Sequence, residues 1–247
     1  MKSKVKDLDE EFKENIKSFN FFDSNCWIGK PNNPGPFYLS KVDEIKEYMK
    51  YCGIEKALVS HTLARFFHPK VGNELLLREI EGHKGLIGCF ILLPPSTREL
   101  GPINNYIEDM LKRGVKAVRL FPNSHNYSLK EYSCGDLFAK LEERRIPVFI
   151  WSRETDWNTL YELCTNHPKL PVVLEQCDEE AYWNLRYQFP LFEKCENMFV
   201  ETNKGHLYLG IDEIVSRFGA DRIIFGTHMP VDDPHASMML ITDGEFS

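Results

Sequence analysis

Short apolar runs separated by longer amphipathic segments recur along this chain. The runs read Lys56-Ala57-Leu58-Val59-Ser60, Leu86-Ile87-Gly88-Cys89-Phe90-Ile91-Leu92-Leu93, Lys116-Ala117-Val118-Arg119-Leu120-Phe121, Pro147-Val148-Phe149-Ile150-Trp151, Pro171-Val172-Val173-Leu174-Glu175-Gln176, Met198-Phe199-Val200-Glu201-Thr202 and Arg222-Ile223-Ile224-Phe225-Gly226. They are continuous rather than alternating, as strands buried on both faces should be. One earlier stretch, Phe21-Phe22-Asp23-Ser24-Asn25-Cys26-Trp27-Ile28-Gly29, alternates polar and apolar positions and gives way to a loop rich in Pro, Asn and Gly. It predicts a first strand over 20–27, with Asp23, Asn25 and Trp27 on one face and Phe22, Ser24 and Cys26 on the other.

Between these strands the apolar positions fall at helical spacing. They predict helices over 41–52, 73–81, 102–113, 136–144, 156–165, 179–188 and 207–218, a loop over 62–71, and a short last helix over 234–241. Ser40 is the expected N-cap of the first of these, and Gly53, Gly114 and Gly219 are expected stops. Residues 4–17 are highly charged but place Val5, Leu8, Phe12 and Ile16 at helical spacing, which predicts an amphipathic leader helix packed near the first and last helices. Eight strands alternating with helices predict an α/β fold, a single (β/α)8 TIM-like barrel over 19–247 preceded by the leader at 1–18. No G-x-G-x-x-G opens a helix, so a dinucleotide-binding open sheet has no support.

Composition narrows the class. A chain of 247 residues with 43% hydrophobic and 27% charged positions fills one large core. The net charge of −7 argues against nucleic acid or an anionic membrane as partner, and no run reaches membrane-spanning length. Seven cysteines without a C-x-x-C pair suit free thiols in a reducing cytoplasm. Cys26 and Cys177 are read as buried, inert thiols. A small-molecule substrate is the expected partner; whether the chain forms a homo-oligomer is left open.

In a barrel, chemistry gathers at the C-terminal ends of the strands. The residues expected there are Asp23, Asn25 and Trp27, His61, Arg119 and Phe121, Trp151, Glu175 and Gln176, Glu201 and Asn203, and His228. Arg119 either offers a fork to a carboxylate, phosphate or sugar acid or pairs with a helix outside the barrel. Glu175 and Glu201 are either an acid/base pair or partners for Arg119, Lys116 or Arg153. Trp27, Trp151 and Phe121 either stack on a flat ligand or plug the mouth.

The same pieces, in this order, resemble the amidohydrolase-related family of metal-dependent hydrolases, which also contains ring-acid decarboxylases and lactonases. Asp23-Ser24-Asn25-Cys26-Trp27-Ile28-Gly29 stands where the family has D-x-H-x-H-x-G, and Asp221-Arg222-Ile223-Ile224-Phe225-Gly226-Thr227-His228-Met229-Pro230 is similar to its eighth strand, R-I-L-F-G-S-D-x-P. Gly114-Val115-Lys116-Ala117-Val118-Arg119-Leu120-Phe121-Pro122 is similar to the fourth strand, and Ile146-Pro147-Val148 to the fifth. Family members continue into a longer C-terminal end, so the resemblance implies a shortened one here. Where the family holds a cation, this chain has Asn25, Trp27, Trp151, Gln176 and His228. Indole is donor-only and a neutral amide is a poor zinc ligand, so no metal or other cofactor is expected. The resemblance then implies a hydrolase acting, without the usual metal, on a small carboxylated or carbohydrate-derived substrate. His228, Asp23, Glu175 and Glu201 are the candidate catalytic groups, with Asp23 holding the second nitrogen of His228. Asn25, Trp27, Arg119, Trp151 and Gln176 are the candidate binding groups. The other reading is a non-catalytic relative that binds a small molecule or a partner chain.

Overall fold

The computed structural model describes residues 10, 12, 14–16, 18–36, 38–176, 181–203 and 210–242. Its strands are β1 (Phe21–Ile28), β2 (Ile54–His61), β3 (Leu86–Gly88), β4 (Phe90–Ile91), β5 (Val118–Leu120), β6 (Val148–Trp151), β7 (Val172–Glu175), β8 (Met198–Glu201) and β9 (Ile223–Ile224). Every neighbouring pair is parallel, in the order β1-β2-β3 and β4 through β9. The run 86–93, read as one strand, breaks at Cys89. There the chain changes partner: the Cys89 N–H donates to Val59 O at 2.7 Å, whereas Phe90 N–H donates to Ala117 O at 3.2 Å. Between β9 and β1 the ring closes through Ser24 N to Phe225 O (2.9 Å), Trp27 N to Met229 O (2.8 Å) and a parallel bridge between Cys26 and Met229. β3 and β4 are thus two halves of one barrel strand, and the architecture is the expected TIM-like α/β barrel.

The helices are α1 (Val42–Cys52), α2 (Thr62–Phe66), α3 (Pro69–Ile80), α4 (Ile103–Lys112), α5 (Glu131–Glu143), α6 (Trp157–Asn166), α7 (Ala181–Lys194), α8 (Gly210–Phe218) and α9 (Pro234–Thr242). Two expectations are corrected. The stretch 62–71 is not a loop but α2 and the start of α3, each capped by an imidazole. His61 Nδ1 accepts from Leu63 N–H at 2.9 Å, and His68 Nδ1 accepts from Lys70 N–H at 3.2 Å ahead of Pro69. Helix starts are sought at Ser, Thr, Asp and Asn, so histidine caps pass unnoticed. Nor does Ser40 cap α1; the Glu44 carboxylate accepts from the N–H groups of both Ser40 and Lys41 at 3.1 Å. Gly53 ends α1 at φ +75°, and a Cβ there would lie 2.9 Å from Ile16 Cγ2. Ile16 and Phe12 both pack on the core, and the Phe12 ring centroid lies 5.7 Å from that of His235 on α9. Val5 and Leu8 of the expected leader, the starts of the helices read from 179 and 207, and Cys177 lie outside the described residues.

Strand alternation fills the barrel interior in three layers. At the bottom, Leu58, Cys89, Ala117, Phe149 and Val173 form an apolar disc. Two residues further along the strands come Ser60, Arg119, Glu175 and Glu201, all buried. Above them Trp27, Ile91, Phe121 and Trp151, with Ala64 of α2, form a second apolar disc. The main core lies outside the strands, between barrel and helices.

Candidate functional site

The polar layer is assembled around Arg119. From the inward side of β5 its guanidinium lies between the rings of Trp27 and Phe149, at 5.5 and 5.2 Å. Nε donates to Glu175 Oε1 at 3.0 Å and Nη2 lies 3.0 Å from the same oxygen. Nη1 donates to Ser60 Oγ at 2.7 Å, and Nη2 to the Ser24 carbonyl at 2.5 Å. Burial works against the positive charge, but the charge and hydrogen bond of Glu175, with Cys89 and Glu201 nearby, together outweigh it and raise the guanidinium's pKa above its usual value. Arg119 therefore points inward, as one reading of the sequence had it, but its fork is occupied by the protein. The partner found for it is Glu175, the pairing that the other reading of Glu175 expected.

Asp23, Asn25 and Glu201 complete this layer. Asp23 accepts from the N–H of Asn25 (2.9 Å), the N–H of Thr227 (3.0 Å) and the Thr227 hydroxyl (2.6 Å). Burial raises its pKa although these donors pull the other way. The expected Asp23–His228 pair is not formed, because Thr227, just past β9, is the residue that meets Asp23. Asn25 donates to Glu201 Oε2 at 3.4 Å and accepts from Trp27 Nε1 at 2.9 Å. Glu201 also accepts from Asn203 N–H at 3.1 Å, and burial, then the charge of Glu175, push its pKa well up.

The aromatic disc separates this layer from the mouth. The Trp27, Phe121 and Trp151 rings meet edge-on, with centroids 5.3 to 6.1 Å apart. Trp27 and Phe121 are essentially without solvent contact. Above the disc opens a cavity of about 470 Å³. Trp27 and Trp151 form its floor; Tyr38, Arg65, Phe66 and His228 stand around it. The Arg65 guanidinium lies 3.5 Å from the centre of the Trp151 ring and 4.8 and 4.9 Å from those of Phe121 and Phe66. The His228 ring is perpendicular to both tryptophans, 5.1 Å from Trp151 and 6.5 Å from Trp27. Its Nδ1 is 2.9 Å from Asp232 Oδ2, and its backbone takes φ +56°, a conformation uncommon for a residue with a Cβ.

Of the residues singled out from sequence, then, Asp23, Asn25, Arg119, Glu175 and Glu201 meet in the buried layer. Trp27 and Trp151 form the partition, and His228 lines the cavity. Gln176, 4% exposed, contributes its carbonyl as acceptor for Asn203 Nδ2 at 3.4 Å; its Oε1 is buried without a hydrogen-bond partner among the described residues, as is Trp151 Nε1. His61 is a helix cap. Burial lowers its pKa to about 4, so its 3.4 Å approach to Glu79 is a contact of a neutral imidazole at pH 7. Arg65, Tyr38, Phe66 and Asp232 were missed. Arg65-Phe66-Phe67 is a basic-aromatic step in the stretch read as loop, and Asp232 stands four residues beyond His228 in a segment read only as a helix start. Among the described residues no group of three or more His, Cys, Asp or Glu side chains is placed to hold a metal ion.

A parallel α/β barrel with its open cavity at the C-terminal rim defines the class. The amidohydrolase family model matches residues 59–240, and the chain belongs to that family. The matched range begins near the end of β2, so the Asp23 to Gly29 segment lies outside it. No curated protein sequence matches the chain. Solved structures do. A putative amidohydrolase from Staphylococcus aureus superposes with TM-score 0.72 at 12% identity, covering 93% of this chain and 94% of that one. The 5-carboxyvanillate decarboxylase of Sphingomonas paucimobilis gives 0.70 at 10%, covering 92% and 94%. A dihydroxybenzoic acid decarboxylase from Polaromonas sp. JS666, solved with manganese and 2-nitroresorcinol, gives 0.68 at 13%, covering 92% of each. At such identities the likeness shows the fold, and function has to be argued from the site.

Proposed function

We propose that the cavity over the aromatic disc binds a small carboxylated molecule with a flat face, such as a ring acid or sugar acid. We further propose that the chain is a hydrolase using His228 as acid and base. The observation that carries this is the meeting of two groups at one cavity: His228, oriented through Nδ1 by Asp232 at 2.9 Å, and Arg65, stacked at 3.5 Å on the Trp151 floor. A guanidinium held by aromatic faces pairs with a carboxylate, while the indole floor receives the flat body of the ligand. With Nδ1 engaged, Nε2 is the atom left to exchange a proton. In hydrolysis it takes the proton of the attacking water and returns it to the leaving oxygen or nitrogen. Membership in the amidohydrolase family supports a hydrolytic reading, and the ring ligand of the Polaromonas neighbour supports a flat substrate by analogy.

A second reading, a binding protein without turnover, is favoured by one observation. The aromatic disc shuts Asp23, Glu175 and Glu201 away from the cavity, whose lining among the described residues includes no carboxylate. One experiment addresses both readings. The parent and an Arg65→Met variant are screened against flat carboxylates, sugar acids and their esters and lactones, following thermal shift and product formation. Ligands that raise the melting temperature of the parent alone support the pocket, and products that vanish in His228→Asn support the enzyme. Stabilisation without any product selects the second reading. Equal shifts in parent and Arg65→Met would remove Arg65 from recognition.

A further inference from the structure

The family resemblance implies a cation at the barrel mouth, and the donor set here does not fit one. Of the positions that the resemblance assigns to it, Trp27 and Trp151 offer only N–H donors. Trp27 Nε1 donates to Asn25 Oδ1, which occupies one of that amide oxygen's two acceptor positions, and Asn25 Nδ2 donates to Glu201. His228 Nδ1 faces Asp232. Yet three carboxylic side chains, Asp23, Glu175 and Glu201, remain fully buried at the strand ends. Buried carboxylates need a compensating positive charge or a proton.

We infer that Arg119 has taken the charge-balancing place of a bound cation, so that this barrel keeps its acidic strand ends without a metal. The guanidinium is fully buried and touches a donor or acceptor from three different strands: Glu175 on β7, Ser60 on β2 and the Ser24 carbonyl on β1. A coordinated cation ties strand ends together in the same way, through several oxygens converging on one positive centre. Trp27 above and Phe149 below exclude water from it. The aromatic disc fills the space between this centre and the cavity, so the substitution is structural as well as electrostatic.

The test starts with the parent protein, which must fold for any of this to matter. Purified without chelator, it should contain no stoichiometric zinc or manganese by elemental analysis. Neither added Zn²⁺ or Mn²⁺ nor a chelator should move its melting temperature. A stoichiometric metal, lost to a chelator with a drop in melting temperature, would overturn the inference whatever the variants do. Arg119→Met should lower the melting temperature by roughly 10 °C, because it strands a buried carboxylate. Glu175→Gln added to it should recover most of that loss. If Arg119→Met fails to fold, the folded double variant still carries the comparison. A double variant that also fails to fold, or is no more stable than the single one, would show that Arg119 acts through packing rather than charge and would overturn the assignment.

Discussion

Two polar regions lie one above the other on the axis of this barrel, separated by a single layer of aromatic rings. In the lower one Arg119, Asp23 and Asn25 each have two or more protein partners within hydrogen-bond distance. In the upper one Arg65, Tyr38 and His228 border open volume. The lower region has the larger share of the residue types that suggest catalysis, and the upper has the space that a ligand needs. Buried polar groups whose bonds are completed within the protein contribute to fold and rigidity. Groups lining a cavity are placed to meet a ligand. The proposed function accordingly places the chemistry above the disc.

The most disruptive way to break this division is to remove the partition. Trp27→Ala should cost about 3–5 kcal/mol, as deleting a large buried aromatic does, which thermal unfolding reads as a fall of roughly 10 °C. It should also connect the cavity to Arg119 and Glu175. A Trp27→Ala protein melting like the parent would mean that the disc is not a packed layer. A smaller loss, roughly 2 kcal/mol in total, is expected from Phe12→Ala with Ile16→Ala, since both side chains are only half-buried on the core. Chemical denaturation measures it, and an unchanged midpoint would show the leader contacts to be idle.

Acid should act next, and its sign follows from His61. Burial depresses the folded-state pKa to about 4, so the folded protein prefers the neutral imidazole. The stability this residue contributes is fully present above its unfolded value of about 6.5 and is lost as pH falls from there toward 4. A His61→Gln variant should flatten that limb of the stability curve. A parent and variant with parallel curves over this window would contradict the assignment. The smallest effect belongs to Glu201→Gln. The raised pKa of Glu201 means that the folded protein prefers a neutral group there. Its contribution is present below the unfolded carboxylate value and is lost as pH rises through the folded one, opposite to His61. A neutral amide should therefore leave the melting temperature at pH 7 within a few degrees of the parent, or raise it.

Much of the barrel is legible from sequence because its strands are buried on both faces and say so by being continuously apolar. Polar residues at their ends then stand out, and Arg119, Glu175 and Glu201 are found without a structure. What those residues do is not legible, because it depends on which strand faces which across the interior. Arg119 on β5 reaches Glu175 on β7, and Asp23 finds Thr227 one residue short of His228. The break at Cys89 is hidden for the same reason, since a change of hydrogen-bond partner leaves an apolar run intact. Arg65 and Asp232 lie in segments without strand or strong helix signals, where a side chain's place is set by a short turn. Strand-end position, and then the resemblance, drew attention to Asn25, Trp27 and His228, and of these only His228 lines the cavity without also forming the partition.

The central claim is that the upper region works and the lower one supports. On the first substrate found, kcat is measured side by side for Glu201→Gln and His228→Asn, with melting temperatures taken on the same samples. The account predicts that Glu201→Gln turns over within about threefold of the parent, while His228→Asn loses roughly 10²–10⁴ in rate, as for a removed acid/base, with its fold intact. The reverse order, with Glu201→Gln inactive and His228→Asn at the parent rate, would move the chemistry below the aromatic disc and contradict the account.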